Sequence, residues 1–565
     1  MASGASYDES YDFVVIGGGS AGCIVAARLA QTGVGSVLLL EAGDPAERNP
    51  QTLDADGFVH AFSSDSLMLD RLSSAQPRCS KRHLYMGSGT GLGGSGAVNG
   101  MVYTRGDQQD YAQWPQGWHW PDVASVFEQL EQQLRVRTRS GTTFTNTCLD
   151  ASLQAGFQRK DELNDGDLCG FIGYQLMNFE GSQRRSSYVA FLHGQQHPNL
   201  TIKTNARVQR ILFDEKRTAV AVEFRQNHGI RKVGIRRELV LAAGALETPK
   251  LLMLSGVGAK NDLKHWGIDC VLDAPEVGKN LQDHPNVCVF YRGNQQPDSF
   301  YPQLYGFERV NAELPLPTGQ ADTCFVFYAA HASIQQSMQR MLPSMLLPPH
   351  LYRQLSARRL VKQLVNLMFL VPFVRRFVSK VYGVVVILGK PLSRGEVRLA
   401  AKDAAEPALI NPGYFLNPAD METMVEGVLK AQQIAQQAAF SSWGNRGLSQ
   451  AARTQDRDAI RQWIKSAAMT TFHYAGTCRM GAAVSDPVDL NLRLRGLRNV
   501  RVADASVIPE IPVSALNAPS MMIGWRAADF ILQDSKAVAT KPESTIAEAV
   551  AAMPAKVEKA RPAPV

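Results

Sequence analysis

The 565-residue chain is 45% apolar and 20% charged, a globular balance that supplies a large core and excludes a collagen-like or wholly disordered chain. Its 59 Lys and Arg against 52 Asp and Glu give a net charge of +7, which permits an anionic partner without requiring one. Eight cysteines with no Cys-x-x-Cys pair exclude a disulfide-stapled mini-fold and suggest no zinc site. Residues 1–11 lack a secretory signal and no apolar run reaches about 18 residues, so the expectation is a cytoplasmic protein with reduced thiols and no membrane span.

In chain order, Phe13, Val14, Val15 and Ile16 form the apolar run of a strand buried on both faces of a parallel sheet. A glycine turn, a helix over 21–31 and a second apolar strand over 37–40 follow. Six glycines fall within residues 87–96, marking a loop. Residues 121–134 place Val123, Val126, Phe127 and Leu130 on one helix face. Short strands are predicted over 200–203, 208–213, 219–224 and 238–242. Helices are predicted over 421–439 and 456–468, then a strand over 500–503 and a helix over 518–532. Residues 536–565, rich in Ala, Pro, Lys and Glu, read as a disordered tail.

The first turn, Gly17-Gly18-Gly19-Ser20-Ala21-Gly22, matches G-x-G-x-x-G between strand and helix. Gly17 permits the tight turn, Gly19 lets backbone approach a pyrophosphate, and Gly22 lets helix and strand pack closely. The helix N-terminus receives phosphate charge, and Glu41, 24 positions after Gly17, is placed to accept from ribose hydroxyls and to repel a 2′-phosphate. The motif predicts dinucleotide binding over a plain turn but does not separate FAD from NAD. The same residues fit G-x-S-x-G, yet a nucleophile elbow needs an earlier loop for its oxyanion hole, and here the serine follows the first strand.

With this turn go Gly91-Leu-Gly-Gly-Ser-Gly-Ala-Val-Asn-Gly-Met101, Ala243-Gly-Ala-Leu-Glu-Thr-Pro249, Val277-Gly-Lys-Asn-Leu-Gln-Asp-His284, His473-Tyr-Ala-Gly-Thr-Cys-Arg-Met-Gly481, Arg501-Val-Ala-Asp-Ala505 and Asn517-Ala-Pro519. Together they resemble the glucose–methanol–choline (GMC) family of flavin oxidoreductases over nearly all of residues 11–533. The resemblance implies an α/β (α+β overall) architecture: a Rossmann-like FAD-binding domain from 8–148, 199–290 and 466–535, interleaved with a substrate domain on an antiparallel sheet from 149–198 and 291–465. It also implies that Gly17, Gly19, Ser20, Ala21, Gly22, Glu41 and Ala42 hold the ADP half of FAD. Gly93, Ser95, Asn99, Gly100, Met101 and Val102 would line the flavin, and Val208 would meet the adenine. Ala243, Gly244, Asp504, Ala505 and Ala518 would complete the pocket. Relatives that link FAD covalently use a histidine where this chain has Val98, so non-covalent FAD is expected.

By the same resemblance His473 is the catalytic base and Asn517 its partner, donating to the substrate oxygen. An imidazole suits the base role because its pKa lies near neutrality, and an asparagine also suits a helix N-cap. The implied activity is that of a choline-dehydrogenase-like alcohol dehydrogenase or oxidase, in which flavin N5 takes the hydride of a primary alcohol and an aldehyde leaves. Four departures surround the flavin: Tyr474 for a proline, Gly96 for a serine, Ser88 for an arginine, and Val513-Ser-Ala-Leu516 before Asn517. They keep open a fatty-acid-acting lyase or light-driven decarboxylase, and a flavin-binding protein without turnover. His284 resembles a structural position; His83, His119, His265, His331 and His350 have no ligand spacing, and no metal is expected.

Residues 323–395 contain ten Lys and Arg and no Asp or Glu, leaving 49 basic and 52 acidic residues elsewhere. Within 350–382 the cations alternate with Leu, Val and Phe, the pattern of an interfacial amphipathic segment, while 384–388 reads as a core strand. The expectation is a lipid-like small-molecule substrate and a peripheral contact with the inner face of a membrane through 350–382, with ordinary substrate-domain structure as the alternative. Nucleic acid is not expected. Oligomeric state is not legible.

Overall fold

The computed structural model describes residues 7–227 and 229–539. The tail expected over 536–565 lies almost wholly outside them; its first four positions continue the last helix, Asn517–Ala539.

Two sheets organise the chain. In the first, Leu200–Lys203, Val37–Leu40, Glu9–Ile16 and Gly229–Leu241 run parallel in that order, and Val500–Val502 pairs parallel with the end of Gly229–Leu241. Ala219–Gln226 and Arg207–Phe213 extend it as antiparallel strands. The unbroken apolar runs follow from burial on both faces: every residue of Val37–Leu40 is buried. Helices Gly22–Gln31 and Asn517–Ala539 pack together beside this sheet, with Arg28 paired to Asp529 and stacked on Trp525.

The second sheet follows the order Arg446–Gly447, Pro285–Arg292, Val381–Leu388, Thr323–Ala329, Leu304–Glu308, Phe171–Tyr174 and Gln158–Arg159, antiparallel except for the last pair. The core strand expected at 384–388 lies in its interior, between Pro285–Arg292 and Thr323–Ala329. Strand Pro285–Arg292, which crosses the boundary placed at 290, lies wholly in this sheet. So does Met469–Thr470, beyond the boundary placed at 466. That last pairing sets Pro285 opposite Thr470 and so brings residue 284 beside residues 471–473.

The segment 350–382 folds as helices Pro349–Tyr352, Leu355–Leu370 and Pro372–Val378 before entering Val381–Leu388. Leu355–Leu370 lies on helix Ala330–Leu346, which rests in turn on the short helix Phe58–Ser63. The helix expected over 421–439 starts at Pro418, capped by Asn417, and ends at Ala435, where a 3-10 turn takes over. None of the described helices is long and apolar enough to cross a membrane.

Candidate active site

Where the first strand ends, Gly17 turns the chain at φ 102°, a left-handed value that glycine adopts without a Cβ penalty. A Cβ on Gly22 would overlap the Gly17 carbonyl oxygen, so this glycine closes the turn onto its helix. Gly19 differs: a Cβ there would meet no protein atom within 4 Å, because the residue borders open space. The second glycine loop lies directly on the first. Gly93 N–H donates to Gly18 O at 2.7 Å, and a Cβ on Gly94 would fall 2.8 Å from Gly19 Cα.

Glu41 fastens the two loops. Gly18 N–H donates to its Oε2 at 2.8 Å, while Gly43 and Gly91 N–H donate to Oε1 at 2.8 and 2.9 Å. The carboxylate expected to face ribose hydroxyls lines the cavity and also clasps backbone amides of both loops. On the second loop, the fully buried Arg184 donates to Gly96 O, Asn99 O and Asn99 Oδ1 at 2.7–3.0 Å. Burial pushes this guanidinium down to about 9. Asp504 holds the opposite side, accepting from Gly244 N–H, Ser506 N–H and Thr248 Oγ1 at 2.6–2.9 Å.

These loops and the second sheet enclose one cavity of about 570 Å³. Gly17, Gly19, Ser20, Ala21, Glu41, Ala42, Ser95, Asn99, Gly100, Val102, Val208, Ala243, Gly244, Asp504, Ala505, His473 and Asn517 all line it. The exceptions among the residues expected there are Gly22, Gly93, Met101 and Ala518. The two glycines act through backbone fit, as above. Met101 is fully buried among Ala55, Met177 and Phe179 with φ 64°, and Ala518 is a core residue of its helix.

Asn517 opens the last helix. Its Oδ1 accepts from Ser20 Oγ at 2.8 Å, which leaves a buried Nδ2 with no protein acceptor at the cavity wall. Gly96 makes this contact possible, because a Cβ there would sit 2.7 Å from Ser20 Oγ and 3.2 Å from Asn517 Oδ1. Two of the other departures also have partners. Tyr474 Oη donates to Gly87 O at 3.2 Å, tying the histidine segment to the glycine loop. Ser88 accepts from Arg71 at 2.8 Å, so a guanidinium reaches this loop from elsewhere in the chain.

At the far end His473 follows Phe472, whose φ of 65° is a strained value for a non-glycine residue and turns the imidazole into the cavity. Its N–H donates to Asp283 Oδ1 at 2.9 Å, and Asp283 also accepts from Tyr414 and Thr470 hydroxyls. Its Nδ1 lies 2.9 Å from Nδ1 of His284, the two rings being perpendicular. His284 was expected to be merely structural; it is buried, lines the cavity and is bonded to the candidate base. Burial pushes His473 down to about 4 and holds His284 well below the usual imidazole range, with His473 and Lys390 adding repulsion at His284. Both rings are therefore neutral at pH 7. Asp283, His284 and Arg184 escaped sequence reasoning, though Asp283 and His284 stand inside a motif it had singled out.

The chain matches the family model for GMC oxidoreductases over residues 11–286 and 391–524. It is 32% identical to an alcohol dehydrogenase [acceptor] of Pseudomonas putida, over 93% of this chain and 96% of that one. It is 31% identical to an oxygen-dependent choline dehydrogenase of Pectobacterium atrosepticum, over 92% and 94%. Among solved structures, pyridoxine 4-oxidase from Mesorbium loti superposes with a TM-score of 0.79 at 25% identity, over 92% of this chain and 98% of that one. The paired glycine loops, the histidine-bearing cavity and these likenesses agree: the chain belongs to the GMC oxidoreductase family of FAD-dependent enzymes.

Proposed function

We propose that this enzyme oxidises a primary, lipophilic alcohol to an aldehyde, with His473 as the base and FAD held without a covalent bond. The residues fit the cofactor: Gly19 and Gly244 border open space with no side chain to block a ligand, and the orphaned Asn517 Nδ2 offers a donor. Val98, at the cavity wall, provides no nucleophile for a flavin link. When bound, FAD supplies the two-electron acceptor for the hydride of the alcohol carbon.

The chain's own residues supply the proton chemistry. A neutral His473 with its proton on Nδ1 presents a bare Nε2 lone pair to the alcohol hydroxyl. Donating Nδ1–H to His284 Nδ1 fixes that tautomer and makes His284 the acceptor. His284 then carries its own proton on Nε2, a buried nitrogen with no hydrogen-bond partner among the described residues. The Asp283 bond to the His473 backbone keeps the imidazole in place.

The observation that carries the substrate class is the wall around His473. Phe472 packs edge-on against Phe62, and Phe58, Val59 and Phe327 continue the apolar lining. The carboxylates of the lining, Glu41, Glu247 and Asp504, are each engaged by backbone, hydroxyl or cationic partners. Anaerobic flavin bleaching with a straight-chain alcohol series tests the reading. Each added methylene raises the apparent second-order rate about three- to four-fold until the cavity is filled, from ~0.8 kcal/mol per buried methylene. Faster bleaching by choline than by octanol would overturn the substrate class. Flavin that stays with acid-precipitated protein would overturn the non-covalent assignment.

A further inference from the structure

Helix Leu355–Leu370 has two apolar faces. At ~100° per residue, Leu360, Leu364, Leu367 and Val371 fall within about 60° of arc, while Val361, Val365 and Phe369 lie about 120° away. The second set is buried against helix Ala330–Leu346; the first is exposed. Leu370 and Phe373 extend the exposed stripe at 67% and 75% exposure, and Met345 and Leu346 border it from the end of the neighbouring helix. A contiguous apolar face of this kind marks an interaction surface.

Charge identifies the partner. Of the ten cations in 323–395, Arg340, Arg358 and Lys362 are bound by Asp65 and Asp70, Lys390 by Asp110 and Arg394 by Glu510. The stretch is thus less cationic than its composition implies, because its counter-ions come from other segments. Arg353, Arg375 and Arg376 remain exposed, with no carboxylate within 4.0 Å among the described residues. A second copy would have to bring acids from outside 323–395 to these arginines, since 323–395 itself contributes none. An anionic surface satisfies them. The helix on which this face is mounted also borders the cavity: Ala330–Leu346 gives Ala332, Ser333, Gln336 and Ser337 to its wall, and Phe300, 60% exposed, lines it too.

We propose that helices Leu355–Leu370 and Pro372–Val378 dock on an anionic lipid bilayer, with the exposed leucines and Phe373 entering the headgroup–acyl boundary and Arg353, Arg375 and Arg376 meeting lipid phosphates. The docked orientation brings the Phe300 side of the cavity toward the membrane, from which an apolar substrate partitions. Docking is independent of the alcohol reading, because vesicle binding is measured without turnover.

The test is co-sedimentation of the FAD-loaded full-length enzyme with vesicles of equimolar phosphatidylcholine and phosphatidylglycerol. The enzyme pellets with these vesicles, binds pure phosphatidylcholine more weakly, and is released by salt. Arg375→Gln with Arg376→Gln lowers affinity about 25-fold, at roughly five-fold for each arginine near the surface. Leu364→Ser, Leu367→Ser and Phe373→Ser together abolish pelleting while the flavin spectrum and thermal midpoint stay those of the parent, since all three side chains are exposed. Absence of pelleting by the parent enzyme, or equal pelleting by the triple variant, overturns the proposal. So does a parent that is dimeric in sedimentation velocity and becomes monomeric in the triple variant, which assigns the face to a second copy.

Discussion

The Nδ1 atoms of His284 and His473 lie 2.9 Å apart, so one ring must donate and the other accept. If His284 accepts, His473 keeps its Nε2 lone pair for substrate; if His284 donates, His473 carries a proton on Nε2 and is no base. His284→Phe removes the acceptor and leaves the His473 Nδ1–H unpaired in a buried site, a penalty of about 1–3 kcal/mol that favours the wrong tautomer. The limiting rate of flavin reduction is expected to fall ten- to a hundred-fold. His284→Asn, whose Oδ1 can replace the lost acceptor, recovers most of it. Equal rates in the two variants in stopped-flow reduction would refute tautomer control.

The pH profile of kcat/KM is expected to follow the same pair. Protonation abolishes the base, so activity is lost as pH falls through the folded-state pKa of the imidazole, which burial sets at about 4 for His473 instead of the ordinary 6.5. The profile should be flat from pH 7 to about pH 5 and decline below, its acid limb belonging to the coupled pair and not to one ring. A limb centred near 6.5 would show that His473 is solvated in the working enzyme. His473→Ala should lower flavin reduction by ~10²-fold or more across the flat range and remove the acid limb, so that the variant and the parent converge at low pH.

Much of this site is local in sequence, and that part was legible. The Gly17–Gly22 turn lies between its strand and helix within six residues, and Glu41 closes the next strand. What escaped depends on distant pairing. His284 meets His473 across 189 positions because Pro285 registers against Thr470, and no spacing rule predicts that pairing. Asp65 and Asp70 are equally invisible as counter-ions to Arg340, Arg358 and Lys362, so the cationic stretch looked freer than it is. The departures at Gly96 and Tyr474 looked like losses of family pattern; only the fold reveals the Ser20–Asn517 contact that Gly96 admits and the bond from Tyr474 to Gly87.

Gly19 and Gly22 separate ligand binding from folding. In Gly19→Ala the new methyl meets no protein atom, so the thermal midpoint of the apoprotein should be that of the parent, while affinity for FAD falls at least ten-fold. In Gly22→Ala the methyl overlaps the Gly17 carbonyl and forces helix from strand, so the apoprotein itself loses about 1–3 kcal/mol by overpacking. Denaturant unfolding of the apoproteins and flavin titration read the two effects separately. Destabilisation of the Gly19 variant without flavin would mean that the open space beside the turn is taken up by protein.

Glu41 makes the strongest demand on charge. Its two oxygens accept from the amides of Gly18, Gly43 and Gly91 and, at 3.3 Å, from Thr90 Oγ1. Glutamine offers one acceptor oxygen, so in Glu41→Gln an amide NH2 must face either Gly18 N–H or the Gly43 and Gly91 pair, donor against donor. At about 1.5–3 kcal/mol for a hydrogen bond to a charged group, the change is expected to cost about 2–3 kcal/mol and to loosen both glycine loops together. Hydrogen exchange should accelerate at Gly18, Gly43 and Gly91 as a group, and FAD should dissociate faster. If only ribose recognition depended on this carboxylate, the apoprotein would keep the parent's exchange rates at all three amides, and the clasp between the loops would have to lie elsewhere.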